Sequence, residues 1–475
     1  MMIRLIGIAL ALAAMAAWMP AAALAADLVF DFAKPAGEIR PLHGGNGGPL
    51  NYGETIDLTE YHKALAIPYT RLHDCGWPCG NVVDIHAIFP DLKADPARAE
   101  SYDFRRTDDY IAAIVKAGSA IVYRLGESIE HSKRKHCVHP PADYEKWAAV
   151  CAGIVRHYNF GWAGGFRYNI RYWEIWNEPE NRPQMWSGSD EDYYRLYGVT
   201  AKALKARWPD LKVGGPAVGW SGEVVGETLK ATPFLKGFLE YCKRESAPLD
   251  FFSWHIYTND PAAVAARAKA VRRWLDESGF AITESHLNEW NFLPNNDWGP
   301  MIGRDGKVRQ AWYEDLGGPQ GAAFTASVLL MLQDSPVAVA NYYSADTGGF
   351  GLFNWYGAPR KTFYAFKAFK ALLDTPLRVE AAGGDAGRMA ACAGMARDKA
   401  SAAILIANYR SSQDKLDVTA KNLPWDGQTA YEFFIVDGQR DLEKVRTGVL
   451  PSGDFKLPVD LKAPAVGLVT LRKPL

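Results

Sequence analysis

Eight short runs rich in β-branched and aromatic residues, alternating with longer helical patterns, constrain this chain more than any other feature. The runs are residues 39–43, 69–74, 120–125, 172–178, 212–216, 251–257, 286–290 and 339–344. Helical periodicity fills the gaps at 106–117, 142–158, 190–207, 234–244, 261–278 and 321–332. Alternation of this kind builds parallel βαβ units. Eight of them across residues 38–377 predict an α/β fold, a (β/α)8 TIM barrel with loop insertions. In that architecture the functional residues stand at the C-terminal ends of the strands.

Beyond this region the texture changes. Residues 378–475 hold short alternating runs, at 401–409, 430–436 and 466–472, broken by Gly, Pro and Asp. They predict a small all-β sandwich domain. Residues 26–37 precede the barrel and contain a strand-like stretch at 27–32, which is expected to join that domain. Residues 1–25 carry Arg4 as their single charge, then an apolar run ending in Ala23-Leu24-Ala25. This is the pattern of a cleaved signal peptide and predicts an exported protein, periplasmic or extracellular. No later run approaches the ~20 apolar residues of a membrane span, so no membrane association is expected after cleavage.

Charge and composition narrow the function classes. The chain has 53 Lys+Arg against 54 Asp+Glu, so no basic excess points to a nucleic-acid partner. Sixteen Trp and 22 Tyr exclude a mainly disordered chain and suit a large core as well as sugar binding. Of the six cysteines, Cys75, Cys79 and Cys137 lie in loop-like sequence and are candidate disulfide partners, with the pairing open. Cys151 falls in a helical pattern as a small buried residue. Nothing in the sequence assigns an oligomeric state.

Two glutamates at strand ends carry the chemical signal. The fourth run reads Tyr172-Trp173-Glu174-Ile175-Trp176-Asn177-Glu178-Pro179, and the seventh reads His286-Leu287-Asn288-Glu289-Trp290-Asn291. Two carboxylates across a barrel mouth are what glycoside hydrolysis requires: one protonates the leaving oxygen, the other attacks the anomeric carbon or activates water. Glu174 shares strand parity with Glu178 and should sit deeper, as an ion-pair partner of Arg71. Glu284 is the rival for the second carboxylate. His73 and Asp74, in Arg71-Leu72-His73-Asp74, are expected to bond sugar hydroxyls, and His43 and Asn46 less directly. The Gly-rich turn at 44–48 lacks the Lys and spacing of a P-loop. Arg124 ends the third run and would meet either an acidic sugar or Glu127. His131, His136, Cys137 and His139 have a metal-like composition, but their spacing matches no common zinc site, and a basic loop over the pocket is expected. Trp77, Trp186, Trp220, Trp298 and Trp355 follow strands and are candidate stacking platforms, Trp298 foremost.

The chain resembles the clan A glycoside hydrolases, most closely family 39, which includes β-xylosidases and α-L-iduronidases. The resemblance runs from about Gly44 to Leu373. It rests on Glu174-Ile175-Trp176-Asn177-Glu178-Pro179, on Trp254-His255-Ile256-Tyr257 and on Asn288-Glu289-Trp290-Asn291. It implies that Glu178 is the general acid/base and Glu289 the nucleophile. Asn177 would bond the sugar 2-hydroxyl, and His255 and Tyr257 would line the pocket, Tyr257 near the nucleophile. A terminal β domain built from both chain ends is also a family habit. The resemblance further implies retention of configuration, carboxyls ~5–5.5 Å apart, and no cofactor or metal. Arg124-Leu125-Gly126-Glu127 departs from the β-xylosidase pattern and brings a uronide into consideration. The expected activity is a retaining, exo-acting, β-xylosidase-like hydrolysis of polysaccharide-derived oligosaccharides. The alternatives are an arabinoside or uronide substrate, endo-cleavage of an exopolysaccharide, and a non-catalytic carbohydrate-binding barrel.

Overall fold

The computed structural model describes residues 26–52, 55–76, 81–385 and 387–473; the expected signal peptide, residues 1–25, lies outside them. Eight parallel strands close a barrel in chain order: Gly44–Asn46, Tyr69–Arg71, Ala120–Leu125, Tyr172–Ile175, Lys212–Val218, Phe251–Thr258, Glu284–Phe292 and Val339–Tyr342. The eighth returns to the first through Asn341 opposite Gly44. Nearly every barrel-strand residue is buried, as expected of a parallel sheet covered on both faces. The outer helices start where their capping chemistry permits. Ser189 and Asp192 form a reciprocal capping box before Asp190–Arg207. Asp260 caps Pro261–Glu277, which has Pro in its first turn.

The first barrel strand is not the apolar run at 39–43 but the glycine-rich Gly44–Asn46. Ile39, Leu42 and His43 are buried in the approach to it. The reason is space. A Cβ on Gly44 would lie 2.6 Å from the Ala340 carbonyl oxygen, and one on Gly45 would collide with the Ala345 side chain. Strand propensity favours branched residues, but this seam admits none.

Both chain ends meet in a second, largely antiparallel sheet of nine strands. Ala26–Glu38 is inserted between Leu377–Ala382, antiparallel to it, and Lys415–Lys421, parallel to it. The remaining members are Met389–Met395, Ser401–Asn408, Gln428–Val436, Asp441–Pro451, Phe455–Asp460 and Ala465–Arg472. Period-two alternation lets one strand serve two cores. Ile404 and Ile406 pack with Phe30, Val418 and Val469 on one face, while Leu405 and Ala407 join the barrel core on the other. The sheet is thus anchored to the barrel by apolar packing, and it leaves the mouth free.

Candidate active site

A cavity of about 1080 Å³ opens at the C-terminal ends of the strands. Its floor is organised by Arg71, fully buried at the end of the second strand. The guanidinium donates from Nε to Glu174 Oε2 at 2.7 Å, from Nη1 to Asn46 Oδ1 at 3.0 Å and Glu289 Oε2 at 3.2 Å, and from Nη2 to Asn177 Oδ1 at 2.7 Å. Glu174 takes a further hydrogen bond from Asn288. It is therefore a buried ion-pair partner below the cavity and is absent from the cavity lining.

Glu178 and Glu289 face one another above this floor, with a carboxylate oxygen of each within 4.8 Å of the other. The fourth strand stops at Ile175, short of the run predicted to 178, because Trp176 and Glu178 turn into the left-handed region at φ 70° and 43°. Such a conformation costs ~1–3 kcal/mol at a residue other than glycine and persists only where surrounding structure enforces it. Here it swings Glu178 out over the mouth. Glu289 is aimed by a shift of register between the sixth and seventh strands: Trp254 lies opposite Leu287 but His255 opposite Glu289.

The two carboxyls have different company. Glu289 accepts from Tyr257 O–H at Oε1, 2.6 Å away, and from Arg71 at Oε2. Glu178 meets Asn181 Nδ2 at 3.1 Å and His255 Nδ1 at 2.8 Å. Burial pushes the carboxyls of both Glu178 and Glu289 above the ordinary range. For Glu289 the charge of Glu178 adds to this, and the opposing influences are Arg71 and the Tyr257 hydroxyl. Burial also holds His255 down to about 4, so its ring is neutral. The pair and His255 have the spacing of a cation site, and the carboxylate oxygens there are engaged with Arg71, Tyr257, Asn181 and His255.

The cavity wall also takes in Asn177, His255, Tyr257, His73, Asp74 and Trp298. Asp74 accepts from Tyr343 O–H at 3.1 Å and from the Ile129 N–H at 3.2 Å. Trp298 packs edge-on against Tyr257, with ring centres 5.0 Å apart. Arg124 is different. It is 0% exposed, captured by Asp84 and Ser128 behind the wall, and does not line the cavity. The expectation that it binds substrate is corrected accordingly. Glu284 lies at the opposite end of the seventh strand, bonded to Tyr172 O–H and His286 and held down to about 2. That position excludes it as Glu289's rival. His43 is buried against Leu65, and Trp186 is core. Trp355 borders a side chamber of about 180 Å³, and Trp77 lies outside the described residues.

In the 131–139 loop, His139 bonds Ser187 and the Lys135 carbonyl, and His131 reaches the cavity. Cys137 instead neighbours His86 and Glu127, which bond each other. Cys75 and Cys137 are both free thiols, and Cys79 lies outside the described residues. Sequence reasoning passed over Glu180, Asn181, Tyr343 and Arg267 in the lining. The first two directly follow Glu178-Pro179, and Tyr343 immediately follows the eighth strand, so the strand-end rule applied to every strand would have found them.

A closed (β/α)8 barrel with paired glutamates, one just after its fourth strand and one in the C-terminal half of its seventh, defines the class of the clan A glycoside hydrolases. The chain belongs to glycosyl hydrolases family 39, whose sequence model it matches over residues 92–425. A β-xylosidase from Geobacillus stearothermophilus is 32% identical over 270 residues, covering 50% of this chain and 48% of that protein. The chain spans about half the length of the curated relatives it matches. A glucosidase from Croceicoccus marinus superposes with a TM-score of 0.79 at 26% identity, covering 95% of this chain and 100% of that one. A monomeric β-xylosidase from Caulobacter crescentus CB15 shares the fold at a TM-score of 0.70 and 19% identity, over 94% and 100%.

Proposed function

We propose that this chain is a retaining glycoside hydrolase acting by double displacement, with Glu178 as general acid/base and Glu289 as nucleophile. The observation that carries the reading is the approach of the two carboxylates to within 4.8 Å. Retaining enzymes hold the carboxyls ~5–5.5 Å apart, whereas inverting enzymes separate them by ~6.5–9.5 Å to admit water. Glu178 gives its proton to the glycosidic oxygen as Glu289 attacks the anomeric carbon and the C–O bond breaks. Water then attacks the anomeric carbon of the resulting glycosyl ester, Glu178 takes the water's proton, and the bond from that carbon to Glu289 breaks, so that Glu289 leaves as carboxylate. Asn177, oriented by Arg71, is placed to bond the 2-hydroxyl. His73, Asp74, His255, Tyr257 and Trp298 enclose the glycone.

The substrate we favour is a terminal β-xyloside on polysaccharide-derived oligosaccharides, supported by the β-xylosidase relatives. A β-glucoside is the second reading, because the glucosidase from Croceicoccus marinus covers nearly the whole chain at 26% identity. The uronide reading loses its motive with Arg124 behind the wall. The residues 1–25 expectation makes the enzyme an exported one, and N-terminal sequencing of the mature protein tests that. Hydrolysis of aryl β-xyloside, β-glucoside, α-L-arabinoside and uronides, with Glu178→Gln and Glu289→Gln alongside, tests the chemistry. Turnover of one member that both substitutions abolish is expected. Full activity in either variant, or sugar binding with no turnover of any member, refutes the assignment and favours a carbohydrate-binding barrel.

A further inference from the structure

Trp220 is a large apolar side chain left 57% exposed, yet it is built into place. It follows the fifth strand, and its backbone is tied to the segment carrying Glu178. The N–H groups of Gly219 and Trp220 donate to Glu180 Oε1 at 2.6 and 3.1 Å. A Cβ on Gly219 would lie 2.5 Å from Glu178 Oε1, so this backbone lies against the carboxyl assigned as proton donor. The Arg267 guanidinium sits over the indole, 4.9 Å from the ring centre. Arg267 is itself only 8% exposed, and its Nη1 is fixed by Ser221 Oγ and the Gly222 carbonyl, both at 2.7 Å. One face of the indole is therefore braced by Arg267, while the exposed remainder lines the cavity.

We propose that Trp220, braced by Arg267 and tethered through Glu180, is the platform for the leaving-group sugar, and that the natural leaving group is a pyranose. The inference rests on the acid/base role given to Glu178 above. A proton donor touches the glycosidic oxygen, so the leaving group's ring begins one bond beyond it. The nucleophile's side is enclosed by Tyr257, Trp298, Tyr343 and Phe350, whose rings stand against one another and take up the glycone side. The side of Glu178 next to Gly219 and Trp220 receives the leaving group. A flat indole face offers a partially negative surface to the C–H face of a pyranose. Glu180, whose Oε1 holds the Gly219 and Trp220 N–H groups, borders the cavity beside the indole.

The glycosyl-enzyme intermediate supplies the test, because an acceptor that intercepts it occupies the leaving-group position. The donor is the 2,4-dinitrophenyl glycoside of the sugar found by the panel above, β-xyloside first. The readout is the ratio of transfer product to released sugar with methyl β-xyloside or with methanol as acceptor. For the pyranose acceptor, Trp220→Ala should lower the ratio about tenfold, the scale of one lost stacking contact. Trp220→Phe should recover most of it, and the methanol ratio should hold in all three proteins. A pyranose ratio that changes less than about twofold, or a methanol ratio that falls in parallel, overturns the platform alone. A protein that never turns over the donor overturns the hydrolase reading and the platform together.

Discussion

Removing the hydroxyl of Tyr257 tests how the two carboxylates divide their work. That O–H donates to Glu289 Oε1 at 2.6 Å and favours the ionised carboxylate. A hydrogen bond to a charged group contributes about 1.5–3 kcal/mol. Losing it removes stabilisation from the ionised form alone, so Tyr257→Phe should raise the Glu289 pKa further. Burial already raises it, with Arg71 and Tyr257 working against the rise. In the proposed mechanism Glu289 acts as the anion, so activity is lost as pH falls through its pKa. A higher pKa therefore moves the acid limb of the profile toward neutrality. The basic limb belongs to Glu178, which must hold a proton, and its contacts with Asn181 and His255 are untouched. The assay is kcat/KM against pH for an aryl glycoside, which reports the free enzyme. An acid limb that stays in place while the plateau rate falls would refute the reasoning and put the hydroxyl to work on substrate instead.

Arg71→Met should destabilise the chain by about 3–5 kcal/mol, because Glu174 is left buried without its cation; urea denaturation reads the loss, and adding Glu174→Gln should recover part of it. Gly219→Ala should cut kcat by up to about 100-fold, because the new methyl displaces Glu178. It should shift Tm by no more than about 2 °C, since the site is a loop, and kcat within twofold of the parent would show that the carboxyl has room to move. Glu178→Gln should raise Tm. The Glu178 pKa is higher folded than unfolded, so stability from its protonated form is lost as pH rises, and the variant's advantage should be larger at pH 8 than at pH 5.

The barrel was legible because its signals are long and mutually consistent. Helices such as Asp190–Arg207 combine apolar periodicity with a cap, and seven of the eight runs overlap a barrel strand. The first strand escaped because close packing, which demands glycine, outweighs the propensity that made 39–43 look like a strand. Glu178 and Glu289 were legible as strand-end carboxylates, and Glu174 as Arg71's partner, because strand parity fixes depth. Arg124 was misplaced by the same rule. It stands at a strand end, but Asp84, brought from a loop 40 residues earlier, takes its guanidinium behind the wall. Contacts between distant loops have no local signature, which is also why Arg267 beneath Trp220 went unseen.

Arg71 explains why two neighbouring glutamates need not behave alike. Its single charge is bonded to Glu174 and Glu289, and its other contacts there are amide oxygens. Glu178 is bonded only to neutral groups, the Asn181 amide and a His255 ring held uncharged by burial. A closely spaced pair of buried carboxyls titrates as a unit. The first proton the pair retains therefore belongs on the member without a cation, which is Glu178, while Arg71 and Tyr257 keep the charge on Glu289. In the proposed mechanism, esterification of Glu289 reverses the balance: its negative charge disappears, and the pull that Arg71 already exerts on Glu178 goes unopposed by a neighbouring anion. The Glu178 pKa then falls, which suits the second step, where it must accept a proton from water. A cation placed under Glu289 thus favours, in that mechanism, an acid in the resting enzyme and a base in the intermediate, with no movement of the backbone.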